Sequence, residues 1–137
     1  MDKRIKDFSM LLKHADIQSL LDIKAFFGEF SMKVFQELNE ASEHVFVVKN
    51  GTPIAAFFLV QTDKDFNLFS VMTPKAYSNV NEIKKVISDN FPSTRVCAAI
   101  YTGNKKLYNI LKSSGFNEFE KKILGYEQRP FLLLNRG

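Results

Sequence analysis

A layered α/β (α+β) domain, with helices packed on a mixed and mostly antiparallel sheet, is the fold class that three observations predict. Apolar residues between positions 17 and 38 recur at helical spacing. Three strand-like runs joined by short turns follow between His44 and Met72. From Thr73 onward, helical and strand periods alternate. The composition agrees, since 45% hydrophobic and 25% charged residues over 137 positions is globular and fits a single domain, residues 1–137. Fourteen phenylalanines and no tryptophan point to an aromatic core.

Taken in order, Phe8 to Lys13 is a short apolar run expected as a strand. It turns at His14-Ala15-Asp16 into a helix capped by Asp16 and carrying Ile17, Leu20, Leu21 and Ile23. Phe26, Phe27, Phe30, Val34, Phe35 and Leu38 continue at helical spacing, with Gly28 as the break between two helices. His44 to Lys49 is β-branched and aromatic, and Asn50-Gly51 predicts a two-residue type I′ hairpin. Its partner, Pro53 to Gln61, is apolar without interruption, so both of its faces should be covered. Asp63-Lys64-Asp65 turns the chain into a third antiparallel strand, Phe66 to Met72.

After Thr73-Pro74, Asn79 and Glu82 have the spacing of a capping box for a helix bearing Val80, Ile83, Val86 and Ile87, with Pro92 marking its exit. A strand from Arg95 to Tyr101, a helix from Asn104, and strands Phe116 to Leu124 and Arg129 to Asn135 complete the order. The expected total is about seven strands and about four helices. An exposed last strand would offer an edge for a homodimer.

Several function classes lose support at this level. Cys97, the only cysteine, lies in the apolar run Val96-Cys-Ala-Ala-Ile100, so it forms no internal disulfide and reads as a small core residue in a reducing compartment. No apolar run reaches the roughly 18 residues of a membrane span and no signal-peptide block follows the start, so a cytoplasmic protein is expected. There is no Cys/His zinc spacing, nucleophile elbow or glycine-rich nucleotide loop, so no metal site is expected. His14, at a turn, and His44, at a strand start, read as structural or exposed. The net charge of +4 is uneven. Residues 1–74 hold eight Lys/Arg against ten Asp/Glu, giving −2, and residues 75–137 hold eleven against five, giving +6. Such a basic half can face an anionic ligand, while scattered lysines read first as a solvated surface; nucleic acid has only this charge behind it and no motif.

The strand Val96 to Tyr101, followed by Asn104-Lys-Lys-Leu-Tyr-Asn-Ile-Leu-Lys-Ser-Ser-Gly115-Phe116, resembles the C-terminal half of a GCN5-related N-acetyltransferase (GNAT), and the whole element order is similar to that fold. The resemblance implies transfer of an acetyl group from acetyl-CoA, or another acyl-CoA, to a small-molecule or protein amine by direct attack. It places the pantetheine arm in a splay between Phe66–Met72 and Arg95–Tyr101, on the backbone of Ser70, Val71 and Met72, with Asn104 beside it. It places the pyrophosphate at a helix N-terminus near Lys75, Ser78, Asn79 and Val80.

Two departures stand out. The segment Thr73 to Glu82 has none of the glycines that the family uses there, and Glu82 in the first turn would repel a pyrophosphate. The family's thiolate-protonating tyrosine falls at Leu111, leaving Tyr108, one turn away, as the candidate acid. A base for the acceptor amine is sought among Glu37, Glu40, Glu43, Asp63 and Asp65, none of them placed by a motif. These departures also resemble small GNAT-like proteins of tailed bacteriophages, which implies host cytoplasm or virion as location. A catalytically silent GNAT-fold binding or structural component is the alternative to an enzyme.

Overall fold

The computed structural model describes residues 3–137. Three helices come first: α1 (Lys3–His14), α2 (Ile17–Phe27) and α3 (Met32–Ala41). A meander follows, of β1 (His44–Asn50), β2 (Thr52–Thr62) and β3 (Asp65–Met72). The short α4 (Pro74–Tyr77) and α5 (Val80–Asn90) lead to β4 (Val96–Tyr101), and α6 (Lys105–Ser113) leads to β5 (Asn117–Leu124) and β6 (Arg129–Arg136). The described strands form one six-stranded sheet in the order β1-β2-β3-β4-β6-β5, antiparallel except between β3 and β4.

The uninterrupted apolar run of β2 has the burial it requires. Ala55, Phe57 and Leu59 enter the core shared with α4, α5 and α6, while Ala56 and Phe58 enter the one shared with α1, α2 and α3. Helices therefore cover both faces. On the second face Phe8 stacks on Phe35 at 5.2 Å and leans on Phe58 at 5.6 Å. Each such buried aromatic contributes about 1.5–3 kcal/mol by the area it removes from water.

Five expectations are corrected. Phe8 to Lys13 is helix, part of α1, because Phe8 and Leu11 stand one turn apart and bury on one side while Arg4, Ile5, Lys6 and Ser9 face outward. The sheet thus has six strands rather than about seven, and with α4 added there are six helices rather than about four among the described residues. The β1–β2 turn is tighter than a two-residue type I′ loop. Asn50 pairs directly with Thr52 and a bulge follows Val48; Gly51 alone takes a left-handed φ, +76°. Asn79 precedes α5 without capping it, its side chain being engaged elsewhere. Finally, the last strand is not an edge, for β6 lies between β4 and β5, leaving β1 and β5 as the edges. No helix among the described residues is long and apolar enough to cross a membrane.

Candidate active site

β3 and β4 pair for three residues only, Phe66 with Val96, Asn67 with Cys97 and Leu68 with Ala98, and then diverge. The divergence has a structural cause. Beyond Leu68 the edge of β3 is taken by the start of α2, where the Asp16 N–H donates to the Met72 carbonyl at 2.8 Å and the Met72 N–H donates to Ser19 Oγ at 2.9 Å. Phe66 also donates toward the β4 side, to the Arg95 carbonyl. The two-residue period of a strand therefore turns the peptide groups of Ser70 into the gap. Asp16, as expected, caps α2 through Oδ2, which accepts from the Gln18 N–H at 3.1 Å.

At the bottom of the gap is a cavity of about 20 Å³. It is lined by Asp22, Ile23 and Phe26 of α2, by Leu68, Phe69 and Ser70 of β3, by Ala98, Ala99 and Ile100 of β4, and by Leu107 of α6. α2 is oriented against its own hydrophobicity: Ile17 and Leu21 are exposed, whereas Ser19 and Asp22 are buried. Asp22 Oδ2 accepts from Asn104 Nδ2 at 2.6 Å, and the Asn104 Oδ1 accepts from the Leu107 N–H at 3.3 Å, so one asparagine both caps α6 and holds the carboxylate. Asp22 Oδ1 is buried with no hydrogen-bond partner among the described residues. Burial pushes the Asp22 carboxyl up to about 7 from an ordinary 3.8, against the hydrogen bond from Asn104 and the nearby Tyr101 peptide and with a smaller push from Asp16.

Neither Asp22 nor Ser19 was expected from the sequence. The signal was present as the recurrence Asp16, Ser19, Asp22 at i, i+3, i+6, a polar stripe within an otherwise apolar helix. None of Glu37, Glu40, Glu43, Asp63 and Asp65 lines the cavity.

The residues expected at the pyrophosphate are engaged with one another and with Asn50. Lys75 Nζ donates to the Asn50 carbonyl at 3.0 Å, while Asn79 accepts from Asn50 Nδ2 and donates to the Lys75 carbonyl, both at 2.9 Å. The amides of Ala76, Ser78 and Asn79 donate to the carbonyls of Thr73, Lys75 and Ala76, so these three are not available to a phosphate. Only Val80 faces the groove between α5 and α6, a cavity of about 380 Å³ that it lines with Tyr77, Lys84, Lys106, Asn109 and Ser113. There Lys106 Nζ sits 4.8 Å from the centre of the Tyr77 ring. Tyr77 joins groove to gap, its hydroxyl donating to Asp16 Oδ2 at 3.4 Å and its pKa raised by burial and then by Asp16. Tyr108 points elsewhere: its hydroxyl donates to Glu118 Oε2 at 3.3 Å, and Leu107 takes the place on the cavity wall.

On the far side, the gap continues into an apolar pocket of about 290 Å³ that shares Phe26, Leu68, Phe69, Ala98 and Ala99 with it. Cys97, Phe119, Leu124 and Leu133 add to its wall, and Lys122 is its one charged lining residue. Burial raises the Cys97 pKa, which keeps the thiol protonated and fits a packing role.

Scans of family models and of curated proteins by sequence find no match. Solved structures do match. An aminoglycoside N(6')acetyltransferase from Legionella pneumophila superposes with a TM-score of 0.71 at 15% identity, covering 99% of this chain and 88% of that one. A spermidine N-acetyltransferase from Vibrio cholerae in complex with CoA and spermine gives 0.63 at 12% identity over 98% and 90%. The ribosomal-protein-S18-alanine N-acetyltransferase from Escherichia coli gives 0.63 at 13% identity over 99% and 89%. At these identities the likeness is one of fold, and this chain has the GNAT fold.

Proposed function

We propose that this chain, built on the GNAT fold, is an acetyl-CoA-dependent N-acetyltransferase that acylates a small-molecule amine by direct attack. The observation that carries the reading is the gap opened between β3 and β4 beyond Leu68 and Ala98, with a buried carboxylate in its wall. A closed sheet would leave no room for a thioester between those strands.

Bound acetyl-CoA supplies an activated thioester carbonyl. Lys84 and Lys106 in the α5/α6 groove would meet its phosphates in place of the amides that α4 occupies. The peptide groups of Ser70 would pair with the pantetheine arm; those of Met72 are already held by Asp16 and Ser19. The acceptor would approach from the opposite, apolar pocket, so donor and acceptor meet across Ser70 and Ala99. Lysine side chains on an open groove bind phosphate less tightly than a row of backbone amides. The pantetheine arm is therefore left to supply most of the selectivity.

Calorimetric titration with acetyl-CoA, alongside a nucleotide carrying the same phosphates, tests this. Micromolar binding that requires the pantetheine arm and weakens about tenfold in Lys84→Ala/Lys106→Ala is expected, at roughly 1 kcal/mol or slightly less per charge-assisted contact. No heat from acetyl-CoA at high micromolar concentration would sink the reading.

A further inference from the structure

Asp22 is buried at 8% exposure on a helix that leaves Ile17 and Leu21 in solvent, and Asn104 satisfies only one of its oxygens. A carboxylate serving packing alone would be a costly choice, because desolvation of an ionised oxygen without a partner outweighs what one hydrogen bond returns. Around it stand Asp16 from the start of α2, Tyr77 from α4, and Asn104 with the Tyr101 peptide at the exit of β4. These groups are neutral or acidic. Their complement is a cation with several donors, which is what a primary ammonium is. The adjoining pocket adds a second criterion: apart from Asn67, Cys97 and Lys122 its walls are aliphatic and aromatic, and its one charged residue, Lys122, repels a second positive charge.

We propose that Asp22 is the anchor and proton acceptor for a primary amine carried on an apolar body, with the ammonium at Asp22 Oδ1 and the body along Phe26, Phe119 and Leu133. Resting on the acyltransferase reading, the step balances as follows. The Asp22 carboxylate takes one proton from the ammonium, and the nitrogen lone pair forms the N–C bond to the thioester carbonyl. The C–S bond breaks, and a second proton from nitrogen passes to the departing thiolate. Asp22 then returns its proton to water. Asp22 is ionised for this role above neutral pH, and a nearby ammonium favours the ionised form. Polyamines such as spermidine, whose further ammonium groups would enter the apolar pocket, are poor acceptors on this geometry.

The test uses phenethylamine and spermidine as probes and reads Asp22 directly. In protein labelled with ¹³C-aspartate, one carboxyl should titrate near neutral pH and vanish in Asp22→Asn. Saturating phenethylamine should lower that midpoint by about one pH unit, as an opposite charge in contact does. Asp22→Asn should weaken phenethylamine binding about tenfold or more while leaving acetyl-CoA affinity unchanged, and spermidine should bind more weakly than phenethylamine. A midpoint that phenethylamine does not move, or an Asp22→Asn protein that binds it as well as the parent, overturns the proposal. Because these readouts need no turnover, absence of acyl transfer alongside an intact Asp22–amine coupling would strike the acyltransferase reading and sustain the amine site.

Discussion

Asp22 concentrates the conflict between stability and chemistry in one side chain. Its pKa is raised on folding, so the folded chain binds more protons than the unfolded chain between about pH 4 and pH 7. The sign follows: the stability it allows is complete below pH 4, falls as pH rises, and is lost once the folded-state value near 7 is passed. Moving a carboxyl from 3.8 to about 7 corresponds to on the order of 4 kcal/mol withheld from the fold at pH 8. Asp22→Asn should therefore melt well above the parent at pH 8 and close to it at pH 4, a difference that thermal denaturation at the two pH values reads directly. Tyr108 supplies the contrasting case. Desolvation and the Glu118 carboxylate beside it raise its pKa, but its hydroxyl faces β5 rather than the gap. Tyr108→Phe should leave acetyl-transfer rates within about twofold, as substitutions away from reacting atoms do, and a larger loss in a thiol-release assay would return it to the catalytic role expected from sequence. Helical periodicity marks Asn104 and Tyr108 as neighbours on α6, but it cannot say which of them meets a residue 82 positions earlier.

Between elements, the contact that frames the apolar pocket joins the β5–β6 turn to the end of α2. The Tyr126 and Glu127 amides donate to the carbonyls of Phe26 and Ala25, both at 2.9 Å. Gly125 makes that approach possible. A Cβ there would lie 2.7 Å from Phe26 Cα and 2.8 Å from the Ala25 carbonyl oxygen, at a φ of +80°. Gly125→Ala should cost about 2 kcal/mol or more, through strain and loss of the two hydrogen bonds, and should loosen phenethylamine binding; chemical denaturation and calorimetry check the two effects. Most elements from β1 onward were legible, because their periods of two and of three to four are unmistakable over six or more residues. Phe8 to Lys13 was not. A short apolar run reads equally well in either period, and only the flanking positions that face solvent decide for helix. Asn79 failed as a cap for a tertiary reason: Asn50, on the neighbouring hairpin, claims the oxygen that would have capped α5.

Across the whole molecule, the sheet sits between two helical layers that reach different parts of the candidate site. The layer of α1, α2 and α3 supplies the carboxylate, and the layer of α4, α5 and α6 supplies the lysines and Asn104. The acidic balance of residues 1–74 and the basic balance of residues 75–137 follow the same division. That division was visible in the sequence as a charge asymmetry, while the gap between β3 and β4 was not, since strand pairing and its failure depend on register between distant segments. The β5 edge carries exposed Glu118, Glu120, Lys121 and Lys122, a charged border that discourages further strands from adding there.

The placement of β6 between β4 and β5 also sets an order of events during synthesis. Until residues 129 to 136 have been made, β4 has its apolar length bare on one side and β5 has no strand to pair with. Local helices and the β1–β2–β3 meander can form early, since their contacts are close in sequence. The gap and its carboxylate are walled by residues up to Leu107, whereas the pocket beyond them, with Phe119, Leu124 and Leu133 in its wall, is completed only by the return of that last strand, so the acceptor side of the candidate site forms late.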